Sequence, residues 1–154
     1  MQMLELKIPP LAVGLIIGAL MWLAKKQVAP ALEFGFPGRH LVAMSVIAAG
    51  AFIIAMGIVS FRRADTTVNP MKPESSSTLV VSGIYQRTRN PMYLGFLLIL
   101  VGWATLLSNV VAFMLLPLFI LYMNRFQIEP EERALASLFG DAFESYRSRV
   151  RRWI

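Results

Sequence analysis

Residues 90–124 read NPMYLGFLLILVGWATLLSNVVAFMLLPLFILYMN, 35 residues without one Asp, Glu, Lys or Arg. A helix crossing a bilayer takes about 20 apolar residues at about 1.5 Å each, so this stretch is too long for one crossing and just long enough for two around a minimal turn. Ser108 and Asn109 supply the turn chemistry. The spacing predicts a tight hairpin with spans at 92–107 and 110–123. Pro117 falls near the middle of the second span, where it removes a backbone N–H and bends the helix. Two readings of that bend stand: a plain change of direction, or the shaping of a ligand groove.

Two more stretches lack Asp, Glu, Lys and Arg, residues 8–24 and 41–61, which makes four spans in all. The chain is 56% hydrophobic and 16% charged, with a mean hydropathy of +0.60. That balance excludes a disordered chain and argues against a soluble one. The fold class expected is all-α: a polytopic membrane protein, one domain over residues 1–154, with four transmembrane helices and an amphipathic helical cap at 125–154. A signal peptide competes for the first stretch, with Ala29-Pro30-Ala31 as its cleavage region, but Lys25 and Lys26 stand where such regions are uncharged. Gly14 and Gly18 form a small-xxx-small pair suited to helix packing.

Four spans place both termini and the loop at 62–91 on one side. Of the 15 Lys and Arg, all but Lys25, Lys26 and Arg39 fall on that side, which predicts cytoplasmic termini. Residues 69–77 read as an extended connector. With no Cys and only His40, a zinc site of the usual composition and a thiolate nucleophile are excluded, and no metal is expected. No ionisable residue lies within a span, which argues against a proton-coupled exporter. A chain held at the bilayer is not expected to bind nucleic acid.

The polar residues gather at the cytoplasmic ends of spans three and four. One cluster runs from Gly83 to Gly95 and contains Tyr85, Arg87, Arg89, Asn90 and Tyr93; the other runs from Arg125 to Tyr146. Asn90-Pro91 reads as an N-cap and first helical residue, with Arg87 and Arg89 as interfacial anchors. The same helix start offers unpaired N–H groups and a positive dipole end that suit a carboxylate or phosphate. Gly95 admits close approach of a ligand or of a neighbouring helix. In the second cluster Pro130 opens a helix with Glu131 and Glu132 in its first turn, where they either satisfy the dipole or join Glu129 and Arg125 in binding a zwitterion. Leu135, Leu138, Phe139, Phe143, Tyr146, Val150 and Trp153 then recur near helical spacing, with a stop and restart at Gly140-Asp141. Arg147, Arg149, Arg151 and Arg152 are expected on anionic headgroups, with membrane lipid as a partner.

Over residues 79–153 the sequence resembles the isoprenylcysteine carboxyl methyltransferase and phospholipid methyltransferase group of membrane enzymes. The resemblance lies in Ser82-Gly83-Ile84-Tyr85, Arg89-Asn90-Pro91-Met92-Tyr93-Leu94-Gly95, the hydrophobic hairpin, Glu131-Glu132, Leu135, Phe139-Gly140, Tyr146 and Val150-Arg151-Arg152-Trp153. It implies S-adenosylmethionine as methyl donor, bound at the cytoplasmic face between hairpin and C-terminal segment. It further implies that Asn90, Tyr93, Glu131 and Glu132 line the donor site and that Arg125 faces the substrate. Within that frame Glu131 and Glu132 would hold the donor's ammonium or ribose hydroxyls. Arg89 and the helix start would hold its carboxylate, and Tyr85 and Tyr93 would contact adenine or sulfonium. Arg125 and Glu129 are the candidate catalytic pair.

Eukaryotic prenylcysteine enzymes carry His where this chain has Asn90, so it resembles the prokaryotic branch, in an inner membrane, and a prenylcysteine acceptor is not implied. The acceptor is expected to be small or lipophilic. Phospholipid, amine, imidazole and thiol acceptors stay open beside a carboxylate, as does a non-catalytic membrane scaffold.

Overall fold

A computed structural model describes residues 5–28, 32–64, 71 and 76–154. Both the Ala29-Pro30-Ala31 reading and most of the 69–77 connector lie outside these residues. The order is α1 (Pro10–Val28), α2 (Arg39–Arg63), a 3-10 turn (Gly83–Gln86), α3 (Pro91–Leu107), α4 (Val110–Met114), α5 (Leu116–Tyr122), a π-helical turn (Met123–Ile128), α6 (Glu129–Phe139) and α7 (Asp141–Arg149). Among the described residues the architecture is all-helical. Among the described residues two helices are long and apolar enough to cross a bilayer: α2, and the nearly continuous path Val110–Phe139. At 17 residues α3 is shorter, and α1 carries Lys25 and Lys26 in its last turn.

The hairpin turn forms where it is expected. Ser108 adopts a left-handed conformation, with φ +51°, and Asn109 caps the next helix by accepting the Val111 N–H at 3.0 Å. The Pro117 break appears one step early. The helix ends at Met114 and resumes at Leu116, because the proline ring crowds the carbonyl of Phe113 and has no N–H to give it.

Helices α2 and α3 run antiparallel along a seam of small residues. A Cβ added at Gly50 or at Gly95 would lie 2.6 Å from the other's carbonyl oxygen, and one at Gly102 would lie 2.8 Å from Ala43 O. Farther along, Gly57 faces Met92 and Pro91. Ala43, Gly50 and Gly57 on one helix and Gly95 and Gly102 on the other repeat every seven residues, two turns, so each stays on the contact face. Gly95 therefore admits a neighbouring helix and not a ligand. Of the Gly14/Gly18 pair, Gly18 packs against Leu100 and Trp103 of α3 as expected and accepts the Trp103 Nε1–H at 3.0 Å, while Gly14 has open space beside it; both line an apolar groove of about 480 Å³ with Trp22, Phe96 and Trp103.

The core gathers Val13, Ile17 and Met21 of α1 around Leu100 and Ala104 of α3 and Phe119 and Met123 farther along. Large apolar side chains such as Leu15, Leu41, Phe52, Met114 and Leu121 point outward and are exposed, an exterior suited to hydrocarbon.

Pro130 stands at the opening of α6, as expected, with Glu129, Glu131 and Glu132 in the same first turn, but no break in direction precedes it. The path continues from α5 through the wide π turn into α6, and the missing Pro130 N–H leaves the Phe126 carbonyl without a helical donor. The Leu6 N–H takes its place at 3.0 Å. Gly140 then reverses the chain at φ +49°, ψ −125°, a conformation side chains rarely adopt, and α7 folds back so that Phe143 and Tyr146 are buried. Leu138, expected on the packed face, is exposed instead.

Candidate active site

Three segments distant in sequence meet at the start of α3: the 3-10 turn with residues 87–90, the first turn of α6, and the C-terminal residues 147–153. Asn90 stands at the N-cap of α3, yet its side chain makes no capping bond. Its amide Nδ2 donates to Arg152 O at 2.9 Å, and its own N–H goes to Thr88 Oγ1 at 3.2 Å. Thr88 in turn donates to Arg152 O at 3.3 Å, and the Arg89 N–H reaches Arg151 O at 3.0 Å. Asn90 thus fastens the chain's end to the helix start.

Arg89 acts at the centre of this junction. Its guanidinium donates to Arg147 O at 3.0 Å, to Val150 O at 2.7 Å and to Glu132 Oε1 at 2.7 Å. Arg152 completes the clamp on Glu132, with Nη2 2.6 Å from Oε2 and Nε 3.3 Å from Oε1. Arg152 is therefore turned inward and does not sit on headgroups as expected. Arg89 Nε is the one buried side-chain nitrogen or oxygen without a partner among the described residues.

The two adjacent acids differ in their surroundings. Burial works against ionisation of Glu132, but the hydrogen bonds and charges of Arg152 and Arg89 outweigh it and hold its carboxyl below the ordinary range. Glu131 faces the other way. Tyr93 Oη and Gln127 Nε2, the latter at 2.9 Å, both donate to its Oε1, and no bond is made to Oε2. No Lys or Arg among the described residues pairs with it. Burial pushes Glu131 up to about 7 despite the Tyr93 and Gln127 hydrogen bonds, and the charge of Glu132 adds to the rise. Tyr85 is buried beside Phe61, edge to face at 5.4 Å, and near enough to feel the Glu131 charge. Burial raises the Tyr85 phenol, and its backbone carbonyl accepts from Tyr146 Oη at 2.7 Å.

Opposite signs of shift give opposite pH dependences. Glu131 binds its proton more tightly when folded, so it contributes stability below the unfolded carboxylate range of about 4.3 that is lost as pH rises through about 7. Glu132 contributes stability above that range, lost as pH falls below it. Thermal melts in detergent should show Glu131→Gln flattening the fall in Tm between pH 5 and 7.5 and Glu132→Gln flattening the fall on the acid side. Unchanged profiles in both variants would refute these environments.

Arg125 and Glu129 lie in a separate network. Arg125 pairs with Glu5 at 3.0 Å and with Glu129 at 3.3 Å, and Glu5 also holds Arg133. No hydrogen bond or ion pair among the described residues joins this group to Glu131 or Glu132. The structure thus brings Tyr85, Arg89, Asn90, Tyr93, Glu131 and Glu132 together and sets Arg125 and Glu129 apart. Sequence reasoning missed Thr88, Gln127 and Arg152. Gln127 had a signal, because it precedes Glu131 by four residues on a helix; Arg152 had one only in the Val150-Arg151-Arg152-Trp153 motif, because its partner lies across a chain reversal.

The phospholipid methyltransferase family matches residues 38–142 of this chain. An uncharacterized protein of Haemophilus influenzae is 48% identical over 63 residues, 41% of this chain and all of that relative. Protein-S-isoprenylcysteine O-methyltransferase of Schizosaccharomyces pombe is 29% identical over 119 residues, 77% of this chain but only 50% of that protein. Protein-S-isoprenylcysteine O-methyltransferase B of Arabidopsis thaliana is 26% identical over 139 residues, 90% of this chain and 70% of the relative. No solved structure matches the chain. The family match takes in α2, the glycine seam, the hairpin and the Glu131-Glu132 turn, and with it the chain belongs to the phospholipid methyltransferase family, whose members are methyltransferases.

Proposed function

We propose that this chain transfers a methyl group from S-adenosylmethionine to a lipophilic acceptor at the cytoplasmic face of a prokaryotic inner membrane. The observation that carries the reading is the unsatisfied pair at the helix start: a buried donor, Arg89 Nε, and a free acceptor, Glu131 Oε2. A ligand bearing both an ammonium and a carboxylate fits that donor set. S-adenosylmethionine, when bound, supplies an electrophilic methyl group on a sulfonium. The chain's own residues then have the tasks of binding, orienting and excluding water, and orientation alone contributes about 7–11 kcal/mol in favourable cases.

In this reading Glu131, Tyr93 and Tyr85 form the wall against the cationic part of the donor, and the Arg89 edge meets its carboxylate. Glu132 is a positioning residue, since both of its oxygens are held by Arg89 and Arg152. Arg125 and Glu129 are proposed on the acceptor side, where Arg125 bridges Glu129 and Glu5. The four-span arrangement with cytoplasmic termini and a cytoplasmic cap belongs to the same proposal. It is supported by the distribution of Lys and Arg and by the apolar exterior of α1 through α5. The relatives named protein-S-isoprenylcysteine O-methyltransferase and the phospholipid methyltransferase family both favour an acceptor with a long apolar part.

The test is equilibrium binding of S-adenosylmethionine to detergent-purified chain, followed by transfer of label to a panel of lipophilic carboxylates, phosphatidylethanolamines and thiols. Saturable binding that Glu131→Gln weakens by ten- to a hundredfold is expected, about 1.5–3 kcal/mol for a charge-assisted contact. A folded chain that binds no donor would instead be a membrane scaffold.

A further inference from the structure

The two neighbouring carboxylates of α6 are unequal in one respect that the proposed methyl transfer does not itself require. Glu132 already has its counter-ions. Glu131 has hydrogen-bond donors on one oxygen, no cation, and a second oxygen left unbonded. Ionising a carboxyl in that position is disfavoured, because burial outweighs the Tyr93 and Gln127 hydrogen bonds and no Lys or Arg among the described residues pairs with it. We infer that on the acid side of neutrality Glu131 is protonated in the free protein and ionises when the cationic donor arrives, so that each binding event there expels close to one proton to solvent. This rests on the donor reading above and deepens it. The step balances: Glu131 loses its carboxyl proton to water, and the resulting carboxylate pairs with the positive group of the ligand, leaving the site's net charge unchanged.

The groups around Glu131 define the linkage. From α3 comes the Tyr93 hydroxyl, from the 3-10 turn the Tyr85 phenol, and from the π turn the Gln127 amide. On its own helix the neighbour is Glu132, whose charge is already balanced by Arg89 and Arg152. Arg125, Glu129, Glu5 and Arg133 balance one another in their separate network. Glu131 is thus the carboxyl of this site that has no balancing cation among the described residues. Burial places its proton at about 7, which sets the window in which the exchange is visible.

The consequence is that donor affinity rises with pH as the proton becomes easier to lose. One linked proton with a pKa of about 7 makes binding about fivefold tighter at pH 7 than at pH 6. The experiment is titration calorimetry of the full chain in detergent with S-adenosylmethionine at pH 6, repeated in buffers of different ionisation enthalpy. The slope of apparent enthalpy against buffer enthalpy should report close to one proton released at pH 6 and clearly fewer at pH 8. Glu131→Gln should bind more weakly with no proton release below pH 7, and Tyr93→Phe, which keeps the carboxyl, should still release it. Donor binding by the wild-type chain with no proton exchange at pH 6 and equal affinity at pH 6 and 7 would overturn this inference and leave the methyl-transfer reading standing. Failure of the wild-type chain to bind the donor at any pH would overturn both.

Discussion

Deleting Arg151–Ile154 should destabilise the end of the molecule that holds the candidate site by about 3 kcal/mol or more and lower donor affinity at least tenfold. The deletion removes the carbonyls that receive the Arg89 N–H, the Asn90 amide and the Thr88 hydroxyl. It also removes the Arg152 guanidinium from Glu132 and the Trp153 indole from Asn124 Oδ1 at 3.0 Å. Each donor left unpaired in a buried setting costs about 1–3 kcal/mol, and loss of one partner from a largely buried ion pair costs up to about 3–5 kcal/mol. Water reaching the partly exposed Arg152 side lowers that last figure. Ile154 itself is 77% exposed, so a tag added after it should be tolerated. Melting temperature and donor binding of the truncated chain, compared with a C-terminally tagged one, check the expectation. Wild-type behaviour in the truncated chain would show that the C-terminal residues do not build the site.

The second large effect is expected at Gly95. Gly95→Leu, and even Gly95→Ala, should unfold the chain or lower its Tm by well over 5 °C, because the first added carbon would fall 2.6 Å from the Gly50 carbonyl on α2. Neither backbone can yield without parting the helices along the whole seam, and overpacking a close contact costs about 1–3 kcal/mol or more. Gly14→Ala is the comparison. It has open space beside it and should leave Tm unchanged or slightly raised, as replacing a helical glycine reduces unfolded-state freedom. Melts of the two alanine variants in one detergent suffice. A Gly95→Ala chain as stable as wild type would mean that α2 and α3 do not meet as described.

What could be read from the sequence was what local chemistry or composition decides. Ser108-Asn109 announces a hairpin because a left-handed residue and an N-cap are local requirements, and the Gly140-Asp141 reversal is local in the same way. The candidate acids and tyrosines were found because their motifs recur in a known family. The errors share one cause, that pairing across the chain is invisible in a single string. Arg152 looked like the arginines beside it until the fold brought Glu132 within reach. Asn90 is the N-cap by position, as read, but the sequence cannot show that its amide turns to an acceptor 62 residues away. Gly14 and Gly18 carried the familiar spacing of four and only Gly18 meets another helix, whereas the tighter seam uses a spacing of seven divided between two helices.

The bond from Leu6 to the Phe126 carbonyl has a consequence for how the sequence can drift. The need is met by a main-chain N–H, so almost any residue at position 6 supplies it, and selection there acts on backbone geometry instead of side-chain identity. Leu6 holds a φ of +55°, which glycine or asparagine would adopt with less strain. Proline is excluded twice over, by its fixed φ near −65° and by its lack of an N–H. Among descendants of this chain, position 6 should wander freely among other residues, drift toward glycine and asparagine, and avoid proline wherever position 130 keeps one.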